Sequence, residues 1–237
     1  MRRTVVNKAY WLFLLCFCFF SIACGQSERE KQRLVTEYEK KAYDLRMQGK
    51  NEEGLKEQLK AVELNPNDTE SLLILTGIYL DLENWLEAVE TAKKAVELAP
   101  NNSKTHYQLA VALERIGGDK QGVLKSFREA VRLAPNDTNA LINLGTAYED
   151  INDKQSARRY YEKALEIDSN YIPAIYLLGE LDAEDGKIEK AIELFKKAVE
   201  IKIPENRMAE QSGSQRDAKG RLQELTEQKK NSSQKKP

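Results

Sequence analysis

The sequence predicts an all-α fold, a solenoid built from pairs of antiparallel helices, and three observations support this. Proline recurs at Pro66, Pro100 and Pro135, each time followed by Asn and then by Asp or Asn. Each proline ends an apolar stretch whose period is close to the 3.6 residues of an amphipathic helix. No stretch has the pattern of a strand, and a repeat of about 34 residues is typical of helical arrays.

Small residues keep the register of the repeat. Alanine recurs in five copies at steps of 34 or 35 residues, at Ala61, Ala95, Ala130, Ala164 and Ala198. A second set of small residues is Ala42, Thr76, Ala110, Gly145 and Gly179, and a set of large residues is Phe127, Tyr161 and Phe195. Two antiparallel helices approach closely only where side chains are small, and larger side chains then fill the adjoining grooves. The single extra residue falls in the turn at 116–119, where an insertion disturbs packing least.

This pattern resembles the tetratricopeptide repeat. Five copies fit it, at residues 35–68, 69–102, 103–137, 138–171 and 172–205. The resemblance implies a right-handed superhelical solenoid of antiparallel helix pairs. The outer copies depart from the pattern, as terminal repeats commonly do. The first has Lys41 and Gln58 where core residues usually lie, and the last has Asp182 in place of an aromatic residue or Leu.

Two extensions flank the five copies. Residues 24–34 contain the start of the first helix, with a capping box at 27–30. Residues 206–237 include the apolar stripe Ala218, Leu222 and Leu225, which predicts a capping helix over the last repeat, and we expect a basic disordered tail from about Lys229. This extension has eight Lys/Arg and four Asp/Glu, a net charge of +4, whereas the whole chain has a net charge of −1. The chain therefore lacks the charge balance of a nucleic-acid-binding protein.

Residues 1–23 predict a secretory signal peptide. They combine a positively charged start, an apolar run at 11–20 and small residues before Cys24. The apolar run is shorter than the roughly 20 residues that a membrane-spanning helix needs. An uncleaved N-terminal anchor that uses residues 5–23 as its span remains the alternative.

The end of this segment resembles a bacterial lipobox, in which the cysteine after the cleavage site is lipidated. Ala23 and Gly25 flank Cys24 as that motif requires, although Ser21 stands where the family prefers Leu. We therefore predict lipidation of Cys24 and a bacterial cell-envelope location, anchored to a membrane and facing the periplasm or the surface. Cleavage near Ala23 without a lipid is the alternative, and it gives a secreted or periplasmic soluble protein.

No catalytic residue, metal site or cofactor is predicted. The cysteines are Cys16, Cys18 and Cys24, and His106 is the only histidine, so the repeats lack the ligands for a metal site or a Cys–His pair. The segment 117–122 partly resembles a phosphate-binding loop but lacks the following Lys and Ser/Thr. The acidic turn at 182–186 has the wrong spacing for a calcium loop.

The resemblance implies a binding surface instead. In tetratricopeptide arrays the first helix of each copy lines a concave groove that holds a protein or peptide partner. The matching positions here are Tyr43, Leu73, Ile74, Leu80, Tyr107, Gln108, Val111, Asn139, Ile142, Asn143 and Tyr176. Leu, Ile and Tyr suit apolar side chains of a partner, and Asn amides suit a peptide backbone. The alternative is that some of these residues pack within the array. The Lys, Asn and Arg set with which the chaperone-binding type clamps a C-terminal carboxylate is missing.

The sequence therefore predicts a membrane-anchored scaffold that binds a protein or peptide partner. Cell-envelope assembly is the expected setting, on architecture alone. A structural bridge that uses the convex face and the basic tail is one alternative, and an adaptor that regulates an envelope enzyme is another. An enzyme in its own right is the least favoured class, and we expect no nucleic-acid or metal partner.

Overall fold

The computed structural model describes residues 27–234 of the 237-residue chain. Over this range the chain forms eleven α-helices and no strand. Their bounds are α1 27–47, α2 Asn51–Leu64, α3 Thr69–Asp81, α4 Trp85–Leu98, α5 Ser103–Ile116, α6 Lys120–Leu133, α7 Thr138–Asp150, α8 Lys154–Ile167, α9 Ile172–Glu184, α10 Ile188–Glu200 and α11 Met208–Gln234. A short 3-10 helix, Glu205–Arg207, precedes α11. The predicted all-α fold of helix pairs is confirmed.

The chain divides into two compact units, at residues 1–99 and 100–237. Within the described range, unit 1 contains α1 to α4 and unit 2 contains α5 to α11. In unit 1, α3 packs on α4, and in unit 2 the pairs are α5 with α6, α7 with α8, and α9 with α10. Because each second helix also packs on the first helix that follows it within the same unit, neighbouring pairs bury apolar surface against each other.

Short polar side chains fix where the first helices begin. Asp68 accepts a hydrogen bond from the backbone N–H of Ser71, and Asp137 accepts from the N–H groups of Asn139 and Ala140. These carboxylates satisfy N–H groups that have no partner inside the helix. Since each lies two residues after a proline, one short segment ends a helix and starts the next. Asp68 and Asp137 are thus the N-caps of α3 and α7.

Glycine permits close helix contact at two sites in unit 2. A Cβ atom added to Gly145 on α7 would lie 2.2 Å from the Cε1 atom of Tyr161 on α8. The same atom added to Gly179 on α9 would lie 2.5 Å from Cε1 of Phe195 on α10. Both rings are fully buried. The predicted pairing of small with large residues is therefore present here, and a larger residue at either glycine must displace a ring.

Helix α11 covers the last helix pair. Ala218 and Leu225 are buried in one apolar cluster with Phe195, and Leu222 packs against that cluster. The side-chain amide of Gln215 lies 2.7 to 3.2 Å from the carbonyl oxygens of residues 198, 199 and 201, at the end of α10. These are carbonyls that a helix leaves without an internal partner.

The expected disorder from about Lys229 is not what the structure shows, because α11 continues to Gln234. The Lys229 ammonium lies 2.8 Å from the carboxylate of Glu189 on α10. This ion pair joins the later part of α11 to the last repeat. Helix α11 therefore extends past the point at which the composition predicts disorder.

The predicted signal peptide and Cys24 lie outside the described residues. Over residues 27–234, none of the helices combines the length and the apolar character needed to cross a bilayer.

Candidate partner-binding face

Seven of the predicted groove residues lie on the first helices of unit 2, and we call them the unit 2 face. They are Tyr107, Gln108 and Val111 on α5, Asn139, Ile142 and Asn143 on α7, and Tyr176 on α9. All except Ile142 are at least partly exposed. Five of these six also contact the fold beneath them, as expected of preorganised binding residues, and they are Tyr107, Val111, Asn139, Asn143 and Tyr176.

A hydrogen bond joins the two central members of the unit 2 face. The Nδ2 atom of Asn143 donates to the hydroxyl oxygen of Tyr107 over 2.7 Å. The Tyr107 ring meets the buried ring of Phe127 edge-on, with centroids 5.8 Å apart. Burial raises the pKa of the Tyr107 hydroxyl and the Asp137 carboxylate raises it further, so the hydroxyl keeps its proton and can still donate. Tyr107 and Asn143 thus form one fixed polar unit on α5 and α7.

Asn139 is held by a second tyrosine. The Tyr171 hydroxyl donates to the amide oxygen of Asn139. The Arg207 guanidinium lies 5.5 Å from the centre of the Tyr171 ring, and it also pairs with Asp168 at 2.6 Å. The amide group of Asn139 is therefore oriented by Tyr171, at the end of the same repeat, and Arg207 from beyond the repeats packs on that tyrosine ring.

Two of the predicted groove residues are buried, so the prediction that they contact a partner directly is wrong. Leu73 is 6% exposed and Ile142 is 7% exposed, and Ile142 belongs to the apolar core of unit 2. Their positions on α3 and α7 turn inward, where burying an apolar side chain contributes about 1.5 to 3 kcal/mol. They support the surface and do not form it.

The corresponding side of unit 1 is closed by an ion pair. Tyr43 is 55% exposed, whereas Ile74 and Leu80 are only partly exposed. The Arg46 guanidinium on α1 lies 2.6 Å from the carboxylate of Asp81 on α3. In this position it covers Gly77, whose added Cβ would lie 3.5 Å from it. Unit 1 therefore has an ion pair at the register positions that Glu114 and Asp150 occupy in unit 2.

A residue from outside the repeats reaches the first helix of the last pair. The Nε atom of Arg221 on α11 donates to the Glu180 carboxylate on α9 over 2.7 Å. This pair raises the pKa of the Arg221 guanidinium. The register of the repeat does not predict the contact between Arg221 and Glu180, because α11 lies outside the five copies. The only available signal was the spacing of the apolar stripe on α11, which predicts which side of that helix faces the array.

Carboxylates gather where the first helices of unit 2 end. Glu114 lies at the end of α5, Glu149 and Asp150 at the end of α7, and Glu184 at the end of α9. Burial raises the pKa of the Glu114 and Glu149 carboxyls, although the Tyr161 hydroxyl donates to Glu149. Lys154 pairs with Glu184 at 2.7 Å. Across residues 27–234, no group of three or more His, Cys, Asp or Glu side chains is arranged to hold a metal ion.

Comparison with known protein families agrees with this architecture. Residues 138–171 match the tetratricopeptide repeat, and residues 172–202 match a second version of the same repeat. The two matched segments correspond to the pairs α7–α8 and α9–α10. They support a tetratricopeptide repeat protein.

Individual proteins resemble this chain in sequence or in structure. The chain is 29% identical over 153 residues to the BBSome complex member BBS4 of Xenopus tropicalis, covering 64% of this chain and 28% of that protein. It spans less than a third of the length of the first curated relatives that it matches. The crystal structure of MamA superposes with a TM-score of 0.60 at 28% identity, over 67% of this chain and 92% of that one. YrrB, described as having an unusual peptide-binding site, superposes with a TM-score of 0.56 at 24% identity, over 73% and 89%.

Proposed function

We propose that this protein is a scaffold that binds a protein or peptide partner on the unit 2 face. The Tyr107–Asn143 pair carries this proposal. It places a phenol and an amide, both partly exposed and fixed by one hydrogen bond of 2.7 Å, above the buried Phe127 ring. A partner backbone can bond to these groups without a large ordering cost, because their geometry is already set.

The surroundings of this pair suit a peptide. Val111 and Tyr176 offer partly exposed apolar surface, which takes apolar side chains. Gln108 makes no side-chain hydrogen bond to any described residue, so its amide is available to pair with a backbone N–H and C=O. Alternating apolar and amide groups are what recognition of an extended or helical segment requires. The peptide-binding site named for YrrB lends this proposal support at the level of the fold alone.

Site-specific photo-crosslinking in cells tests this proposal. A photoreactive phenylalanine analogue replaces Gln108 on the unit 2 face, and the matched control places it at the exposed Glu162 on α8. We expect a partner adduct from position 108 and none from position 162. Combining Tyr107→Ala with Asn143→Ala should abolish the adduct, because both fixed polar groups are removed. Adducts from position 162 alone would favour the structural bridge.

We also propose that the protein is held at a bacterial membrane by lipid on Cys24, within the cell envelope. The support is the lipobox-like sequence at residues 23–25. Several acyl chains on one cysteine give firm anchoring, since each buried methylene contributes about 0.8 kcal/mol. Wild-type protein should label with palmitate and partition into detergent, and Cys24→Ala should do neither. A Cys18→Ala control should behave as the wild type, and a labelled Cys24→Ala protein would refute the anchor.

A further inference from the structure

The turn between α5 and α6 differs from the other inter-helix turns within the pairs. Two successive glycines there have positive φ, 72° at Gly117 and 96° at Gly118. The other four turns each have a single residue with positive φ, at Gly49, Glu83, Asn152 and Gly186. This is also the site of the one extra residue in the repeat register. The wider turn leaves space between itself and α7.

That space is a pocket of about 90 Å³. Its walls include the apolar residues Leu113, Val123 and Ala147, and its polar lining residues are Glu114, Asp119, Lys120 and Asp150. Sites for cofactors and drug-sized ligands occupy roughly 300 to 1,000 Å³, so this pocket is far too small for them. A pocket of this size with both apolar and charged lining residues fits one long, slender side chain with a charged end.

The charge around the pocket selects a cation. Helices α5 and α7 both end beside it, and the C-terminal end of a helix carries partial negative charge. The Glu114 and Asp150 carboxylates have no ion-pair partner among the described residues, while the Asp119 carboxylate caps α6 by accepting from Gly122 N–H over 2.8 Å. Burial and the charge of Asp150 raise the pKa of the Glu114 carboxyl, and Arg115 offsets this only in part. A bound cation would relieve that repulsion.

The pocket is already lined by one ammonium group of the protein, that of Lys120. The Nζ atom of Lys120 donates to the backbone carbonyl of Asp150 over 2.7 Å. It bonds the main chain, so both carboxylates remain available to a second cation. An acidic side chain would meet repulsion here, and a purely apolar one would desolvate the carboxylates without pairing them.

We infer that this pocket receives a lysine side chain from the bound partner, with its methylenes against Leu113, Val123 and Ala147 and its ammonium between Glu114 and Asp150. The inference rests on the proposed function and narrows it to partners whose bound segment presents a lysine beside the part held by the unit 2 face. Electrostatic attraction of this kind fixes the register of a segment more than it adds affinity.

A pair of small probes tests the pocket directly. The full chain, labelled with nitrogen-15 and held in detergent micelles, is titrated at low ionic strength with N-acetyl-lysine methylamide. The matched probe is N-acetyl-norleucine methylamide, which has an aliphatic stem of similar length and no charge. We expect saturable shifts of the Gly117 and Gly118 amide signals with the lysine probe and none with norleucine. Equal shifts with both probes, or none with either, would overturn the inference.

Charge-removing variants locate the binding groups. Combining Glu114→Gln with Asp150→Asn should weaken lysine binding about fivefold, as expected for partly exposed ion pairs. The control combines Glu162→Gln with Glu166→Gln, which removes the same charge from exposed positions of α8 and should leave binding unchanged. Unaltered binding to the Glu114/Asp150 variant would refute the assignment, and since neither residue belongs to the buried core, the fold should tolerate it.

The two proposals fail separately. If the crosslink from position 108 is absent while the lysine probe still binds, the partner-binding function fails and the pocket stands. If the crosslinked partner binds the Glu114/Asp150 variant as well as the wild type, the pocket inference fails and the unit 2 face stands.

Discussion

The two units fill one equivalent position of the repeat in opposite ways. In unit 2 the second helix of each pair places a fully buried ring there, at Phe127, Tyr161 and Phe195. In unit 1 the same position holds Gln58 and Ala92, which are buried just as completely. The Gln58 amide donates to the carbonyl of Ser71 over 2.8 Å, but its oxygen has no partner.

The first-helix residue that faces this position varies in size in the opposite direction. The first helices place Gly145 and Gly179 against the rings of unit 2, whereas α3 of unit 1 has the larger Thr76 at that register position, paired with Ala92. Across these pairs, a smaller residue at one position accompanies a larger residue at the other. Close packing requires this, since interiors contain few voids.

The difference also predicts how the units differ in stability. Unit 1 has buried polar side chains at Gln58, Ser71 and Thr76. Two of its buried polar atoms, one each on Glu57 and Gln58, have no hydrogen-bond partner, against one in unit 2, on Gln211. Such groups contribute less to stability than rings of the same volume. We therefore expect unit 1 to open at lower denaturant than unit 2, in line with the local differences in stability seen within proteins.

The largest expected effect comes from removing a ring from unit 2. Phe195→Ala should lower the free energy of unfolding of unit 2 by about 3 to 5 kcal/mol, because it leaves a cavity in a fully buried site. Urea unfolding followed by far-ultraviolet circular dichroism measures this change. In a Trp11→Phe background, Trp85 fluorescence reports unit 1, whose midpoint should not move. An equal shift of both signals would mean that the units unfold together.

A double variant then tests whether a larger residue at position 179 compensates for a smaller residue at position 195. Adding Gly179→Thr to Phe195→Ala reproduces the Thr76 and Ala92 pair of unit 1. We expect the double variant to be about 1 kcal/mol more stable than the sum of the two single effects, as coupled neighbours commonly are. Strict additivity would show that the positions are filled independently.

A smaller effect should follow from removing the unpaired amide of unit 1. Gln58→Met keeps the length of the side chain and removes an acceptor that has no partner. We expect the midpoint of Trp85 fluorescence to rise by the equivalent of about 1 kcal/mol, since an unsatisfied buried polar group costs on this order. A lower midpoint would show that the bond to Ser71 outweighs the unpaired oxygen.

The smallest expected effect is a pH dependence confined to unit 1. Ser71 Oγ lies 2.5 Å from the Glu39 carboxylate and 2.7 Å from that of Asp68, yet its one proton serves only one of them. Burial raises the pKa of the Glu39 carboxyl above its usual 4.5, so its protonated form adds stability below pH 4.5 that is lost as the pH rises through the raised pKa. Glu39→Gln should therefore raise the Trp85 midpoint at pH 7 and leave it unchanged near pH 4. An equal change at both pH values would exclude titration of Glu39 as the cause.

The repeat allows the helices and their pairing to be predicted from the sequence. It does not predict how deeply individual side chains are buried or which contacts reach them from outside the repeats. Helix pairing follows from register, and Asp68 and Asp137 follow from local capping rules. Leu73 and Ile142 were misplaced because a residue's position in the motif does not fix how far a helix turns inward. Arg221 was missed because it reaches Glu180 from 41 residues away. The site of the extra residue at 116–119 was visible in the sequence, but the pocket beside it depends on α7, and the lipid on Cys24 stays a prediction.

Gln215 lies on the helix that covers the last helix pair, and this helix is synthesised after the pair that it covers. The Gln215 amide meets the carbonyl groups that end α10, and the same helix supplies Ala218 and Leu225 to the last core. While the chain is being made, the final helix pair has its sequence complete at residue 205 but lacks its cover until residue 225 has left the ribosome. During that interval its apolar side is open to chaperones and proteases, so a truncation in α11 should act as a folding defect even though every repeat is present.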